Sequence, residues 1–169
     1  MKKDYRKGAI GALMDEYERA AIDLKILIEQ ISQRDFTRII DNETKDDNCR
    51  SIQTIITHVV RAGYGYANYI RQNFSITSTV PPERLLTYEE AISEIDGVLE
   101  YTAETLSGRW EMKDEEIEGV KIDSRWGVKY NLEQMLEHAI VHIMRHRRQI
   151  ERLSQREEAG TQVCSPGHR

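Results

Sequence analysis

Proline is confined to Pro81, Pro82 and Pro166, which leaves long reaches of the chain free to be helical. Apolar residues follow a helical period through those reaches. From Ala9 to about Gln33 they fall at Ile10, Leu13, Met14, Tyr17, Ala20, Ala21, Leu24, Ile28 and Ile31. Steps of three and four predict a helix that buries one stripe. A second stripe runs through Ile52, Ile55, Ile56, Val59, Gly63, Tyr66 and Ile70. Its β-branched residues would suit a strand, but the sustained three-four spacing decides for helix. Thr87-Tyr88-Glu89-Glu90 has the form of a capping box and opens a third helix through Ile92, Ile95, Val98 and Leu99 to about Leu106. Asn131, with Gln134 three residues on, caps a fourth helix that reaches about Leu153.

The intervening segments are polar or aperiodic. Residues 34–50 read as a long connection. Residues 107–130, with Gly108, Gly119, Gly127, Trp110 and Trp126, read as a structured loop with a short hairpin near Val120-Lys121-Ile122. The expected fold is therefore all-α: a four-helix bundle over residues 1–153, with a long loop between the third and fourth helices. Residues 154–169 are expected to be a polar, disordered tail.

Charge and cysteine usage narrow the function classes. Lys plus Arg number 24 against 29 Asp plus Glu, a net charge of -5. Such a balance argues against a general nucleic-acid or anionic-membrane surface. No apolar run is long enough to span a bilayer, and no apolar segment follows the basic start to make a signal peptide. Cys49 and Cys164 stand far apart in polar surroundings, which excludes a disulfide framework and argues against a thiolate metal site. The expected compartment is the cytoplasm.

The chemistry lies in the histidines. Three of the five, His138, His142 and His146, follow one another at steps of four in the fourth helix. At about 100° per residue, with His138 set at 0°, His142 falls near 40° and His146 near 80°. The apolar residues of that helix occupy roughly 60° to 140°. His146 thus lies on the buried stripe, His142 at its edge and His138 toward the flank. An i, i+4 histidine pair can converge on one ion, but a site needs a third donor from elsewhere. His58, midway along the second helix beside Ile55, Val59 and Ala62, is the one histidine outside the fourth helix and the tail. Three neutral imidazoles would leave a coordination position open, as catalytic zinc sites do. Two plainer readings stand beside this one. A histidine near an apolar stripe is more often a hydrogen-bonded core residue, and a ladder flanked by Arg145, Arg147 and Arg148 could be a solvated face. Tyr64, Tyr66 and Tyr69 read most simply as core and groove packing. No GxSxG or GxGxxG occurs.

The segment from His138 through His142 and His146 to Gln149-Ile150 resembles the H-x3-H-x3-H-R-G-Q-I ending of the DinB/YfiT-like family. Ser51-Ile-Gln-Thr-Ile-Ile-Thr-His58 is similar to that family's second-helix pattern. The likeness runs in order and spacing from about Ile10 to Leu153. It implies a four-helix bundle with a divalent metal ion, zinc or nickel, held by His58, His142 and His146. His138 is expected to support a ligand or line the groove. Arg148 stands where the family usually has glycine, which questions the packing at that point.

For function, the resemblance implies a metal-dependent enzyme acting on a small molecule, as a hydrolase or a thiol-dependent S-transferase, with a low-molecular-weight thiol as a second cofactor in the latter case. The ion would act on oxygen or sulfur, lowering the pKa of water or holding a thiol as thiolate. The catalytic residues are not identifiable from the sequence: Glu137 neighbours the ladder but falls on the far side of His138. The alternatives are a non-catalytic, stress-related metal- or ligand-binding bundle and a helical interaction module. The expected partners are a small-molecule substrate and a second copy of the chain in a homodimer.

Overall fold

The structure, a computed structural model, describes residues 4–81 and 83–161. Four long helices, α1 (Gly8–Glu29), α3 (Ile52–Asn73), α4 (Tyr88–Thr105) and α6 (Leu132–Thr161), build the all-α bundle. Two short helices, α2 (Gln33–Thr37) and α5 (Asp114–Gly119), and a two-stranded hairpin of β1 (Ile122–Asp123) and β2 (Lys129–Tyr130) lie in the connections. No described helix is long and apolar enough to cross a membrane.

Each long helix packs on two others, in the cyclic order α1, α4, α3, α6. Side-chain contacts fix the directions. His58 meets His146 and Tyr66 meets His138, so α3 and α6 run antiparallel. Leu86 N–H donates to Thr57 Oγ1, and Arg71 Nε donates to Thr105 Oγ1, so α3 and α4 run parallel. Tyr88 reaches the Ile28 carbonyl and Lys25 pairs with Asp96, so α1 and α4 are antiparallel. A parallel α3–α4 pair requires the intervening chain to travel back along a helix about 33 Å long. Residues 74–87 can reach at most about 46–50 Å, enough for that return. At the α3–α4 contact, a Cβ on Gly63 would lie 2.5 Å from Val98 Cγ1, so glycine permits the close approach.

The predicted stripes form the core. Ile10, Met14, Leu24, Ile28, Ile55, Ile56, Ile70, Ile95, Leu132, Met135, Ile143 and Ile150 are almost fully buried. The caps form as read. Thr87 Oγ1 accepts from Glu90 N–H while the Glu90 carboxylate accepts from Thr87 N–H, and Asn131 with Gln134 repeats the exchange.

Three boundaries differ from the sequence reading. The first helix ends at Glu29, because Ser32, in extended backbone, caps a new helix by accepting from Asp35 N–H. This α2 carries Phe36, fully buried with its ring edge-on to Tyr88. The loop holds α5, and its hairpin pairs Ile122 with Tyr130 across a turn at Gly127, whose φ of +81° favours glycine, rather than folding near Val120. The last helix continues to Thr161 instead of stopping near Leu153. Cys164 and the end of the expected tail lie outside the described residues.

Candidate metal centre

The antiparallel pairing of α3 and α6 brings His58 opposite the His142–His146 pair. The three ring centroids are 4.5 to 5.1 Å apart. Their nearest nitrogens lie within 4.8 Å of one another, close enough to hold one ion. His58 Nε2 and His142 Nε2 are 3.1 Å apart. His146, only 3% exposed, sits beneath them on the buried stripe of α6.

The protonation state of His146 follows from its partner. Nδ1 lies 2.9 Å from Gln149 Oε1, an acceptor, so Nδ1 carries the proton and Nε2 a lone pair. That Nε2 is buried with no hydrogen-bond partner. A buried polar atom without a partner is uncommon and carries a desolvation cost. Gln149, three residues on, also turns the imidazole toward the cluster, as the outer partners of metal-binding histidines do.

Electrostatics keep the cluster neutral. Burial, then the neighbouring His146, His58 and Arg145, push His142 down to about 3. Burial is also the main cause lowering His58 and His146, with Arg145 adding to each and Asp46 opposing it. Neutral imidazoles are the form that binds a cation. The donor set therefore fits a divalent ion such as zinc: three imidazole nitrogens, one of them an orphan.

His58 and His142 form part of the floor of an open cavity of about 800 Å³ between α3, α6 and the hairpin. His138 is on its wall, not in the cluster. Its ring stacks on Trp126 at 5.5 Å and meets Tyr66 edge-on at 5.1 Å. Trp126 Nε1 donates to Tyr130 Oη, which approaches His138 Nδ1 at 3.4 Å. Tyr69 Oη accepts from Arg125 N–H and ties the hairpin turn to α3. Of the other tyrosines on α3, Tyr66 packs against His142, and Tyr64 packs on Tyr101, away from the site.

Arg148 is exposed, so a bulky cation in place of glycine meets no packing obstacle within this chain. The functional surroundings that sequence reasoning missed are Gln149, the hairpin residues Arg125 and Trp126, and Arg61 and Arg145. For Gln149 a signal existed, because a side chain three residues after a helical histidine lies one turn along the same face. For the hairpin none did, since its placement depends on the tertiary fold.

Residues 5–160 match the family model described as the DinB family. No curated protein and no solved structure matches the chain. The match covers the bundle from the approach to α1 to the last turn of α6, and it includes every histidine of the cluster. The chain belongs to the DinB family.

Proposed function

We propose that His58, His142 and His146 hold one divalent ion, zinc or nickel, and that the protein is a metal-dependent enzyme acting on a small molecule in the adjoining cavity. The observation that carries this reading is the buried His146 Nε2, which has no partner while its Nδ1 is engaged by Gln149. A cation would supply the missing partner. When bound, such an ion supplies Lewis acidity that polarises an oxygen or holds a thiol sulfur as thiolate, the chemistry of hydrolysis or of thiol-dependent S-transfer.

The chain's own residues supply the rest. Gln149 fixes the His146 tautomer, and Tyr66 packs its ring against His142. The open cavity leaves one side of the cluster free for a reactant, as in catalytic rather than structural sites. The aromatic wall around Trp126 offers an apolar surface to a ligand.

The test is elemental analysis of untagged protein beside His146→Ala. One equivalent of zinc or nickel is expected in the native protein, with near-complete loss in the variant. Undiminished metal in His146→Ala would refute the assignment. Given metal, turnover of ester, amide or thiol-conjugate substrates by the loaded protein, lost with His146→Ala, tests the enzymatic part.

A further inference from the structure

The cavity beside the histidines has a charge opposite to that of the protein. Aspartate and glutamate make up 29 of the 169 residues, and the net charge is -5. Yet among the described residues no carboxylate lines the cavity, whereas Arg61, Arg125 and Arg145 all do. The three come from different elements. Arg61 and Arg145 each stand three residues, about one helical turn, after a cluster histidine, His58 on α3 and His142 on α6. Arg125 is on the turn between β1 and β2, held over the cavity by the bond from its amide to Tyr69 Oη. Their positive charge reaches the floor: Arg145, Arg125 and Arg61 each disfavour protonation of His58, which burial disfavours most and Asp46 favours.

Several arginines elsewhere are engaged, although Arg34, Arg109, Arg148 and Arg152 also lack a carboxylate within 4.0 Å among the described residues, so the cavity arginines are marked by where they converge. Arg6, Arg71, Arg84 and Arg147 each meet a carboxylate within 4.0 Å. Among the described residues, Arg125 and Arg145 have no such partner and stand exposed at the cavity. A guanidinium offers a planar fork that matches a carboxylate in two parallel hydrogen bonds. The same cavity carries an aromatic surface: Trp126 meets Tyr66 and Tyr69 edge-on, with 41% of its own surface open. An 800 Å³ space is within the range of small-ligand sites.

We propose that the cavity takes a small organic carboxylate, its charged end paired with Arg125 and Arg145 and its planar apolar body laid against Trp126. This deepens the enzymatic reading above and rests on it, because the same cavity is where that reading places the substrate. The arginines provide an anchor that is independent of any ion at the histidines, so binding of the carboxylate does not require metal.

Calorimetric titration with three probes tests it: 2-naphthoate, the neutral 2-naphthamide, and 2-naphthyl phosphate. Each is run on zinc-loaded and on chelator-treated protein. Naphthoate is expected to bind at least about tenfold more tightly than the amide in both states, consistent with a charged hydrogen-bonded pair at an exposed site. The double variant R125Q/R145Q is expected to bring naphthoate down to the level of the amide while zinc content and helicity stay native. Trp126→Ala should weaken naphthoate and naphthamide alike. Equal affinity for naphthoate and naphthamide, or tighter binding of the phosphate, overturns the proposal. So does a naphthoate preference that survives R125Q/R145Q and appears only with zinc, since the ion would then be the anion's partner; that result would leave the metal assignment standing. Failure to bind zinc, with the arginine-dependent preference intact in the chelator-treated protein, would instead overturn the metal assignment alone.

Discussion

Two seams of the same bundle are built to opposite ends. Where α1, α3, α4 and α6 meet in the middle, Tyr17, Ala21, Val60, Ile95, Val98 and Ile143 leave a void of only about 10 Å³, too small to hold more than a single water. Along the α3–α6 seam facing the hairpin, the helices part around an 800 Å³ cavity with histidines on its floor. The first region follows the rule that protein interiors are close-packed. The second departs from it, and the orphaned His146 nitrogen lies buried beneath the histidines of its floor. Stability and chemistry are thus divided between faces of the same two helices: α3 sends Val59 and Val60 one way and His58 the other.

The comparison can be broken at either seam. On the closed side, Leu24→Ala should cost about 2–5 kcal/mol, because a fully buried leucine leaves a cavity that its neighbours fill only in part. Chemical denaturation should show that loss with metal stoichiometry unchanged. A loss of metal matching the loss of stability would mean that the two seams are not independent.

Removing metal is expected to lower the melting temperature without unfolding the bundle. Binding to the native state alone contributes about 2.7 kcal/mol at a hundredfold excess over the dissociation constant. Circular dichroism of chelator-treated protein at pH 7.5 should therefore retain its helicity. The same metal-free protein should be acid-sensitive in a defined window. His142 is held near 3 in the folded state and returns to about 6.5 when unfolded. Between those values the unfolded chain binds more protons, so stability is full above about pH 6.5 and declines as pH falls toward 3. A melting temperature flat across that range would contradict the burial of the cluster.

Smaller effects separate the supporting residues. Gln149→Ala should weaken metal affinity about 10–100-fold, the usual effect of losing a histidine's outer hydrogen bond, as read by competition with a chelator. His138→Ala should change it least, since that ring belongs to the aromatic wall. Complete loss of metal in His138→Ala would mean that the wrong pair of α6 histidines was assigned.

Much of this was legible before any coordinates. Helical period located all four long helices, and the wheel angle of 80° correctly put His146 among buried apolar residues while leaving His138 on the flank. Boundaries were less visible. Ile31 continues the apolar pattern of the first helix to about Gln33, but Ser32 offers the backbone a cap and the chain turns there. A hairpin was expected near Val120-Lys121-Ile122, but its exact strands were not legible, because strands of two residues are too short to show alternation. Least legible was the cavity itself. A wheel gives the direction of Arg145 or His58 within its own helix, but whether that direction meets packing or open space depends on where the hairpin folds back.

The antiparallel contact of α3 and α6 joins residues 84 apart in the chain. Closing a loop of that length costs about 4 kcal/mol of chain entropy, so helices that form locally do not by themselves complete the cluster. A partly folded chain with α6 formed but undocked offers His142 and His146 alone, two donors in place of three. Tight metal uptake at the proposed site is then expected of correctly threaded molecules only. Measured across a population, it counts the fraction of chains whose topology is native.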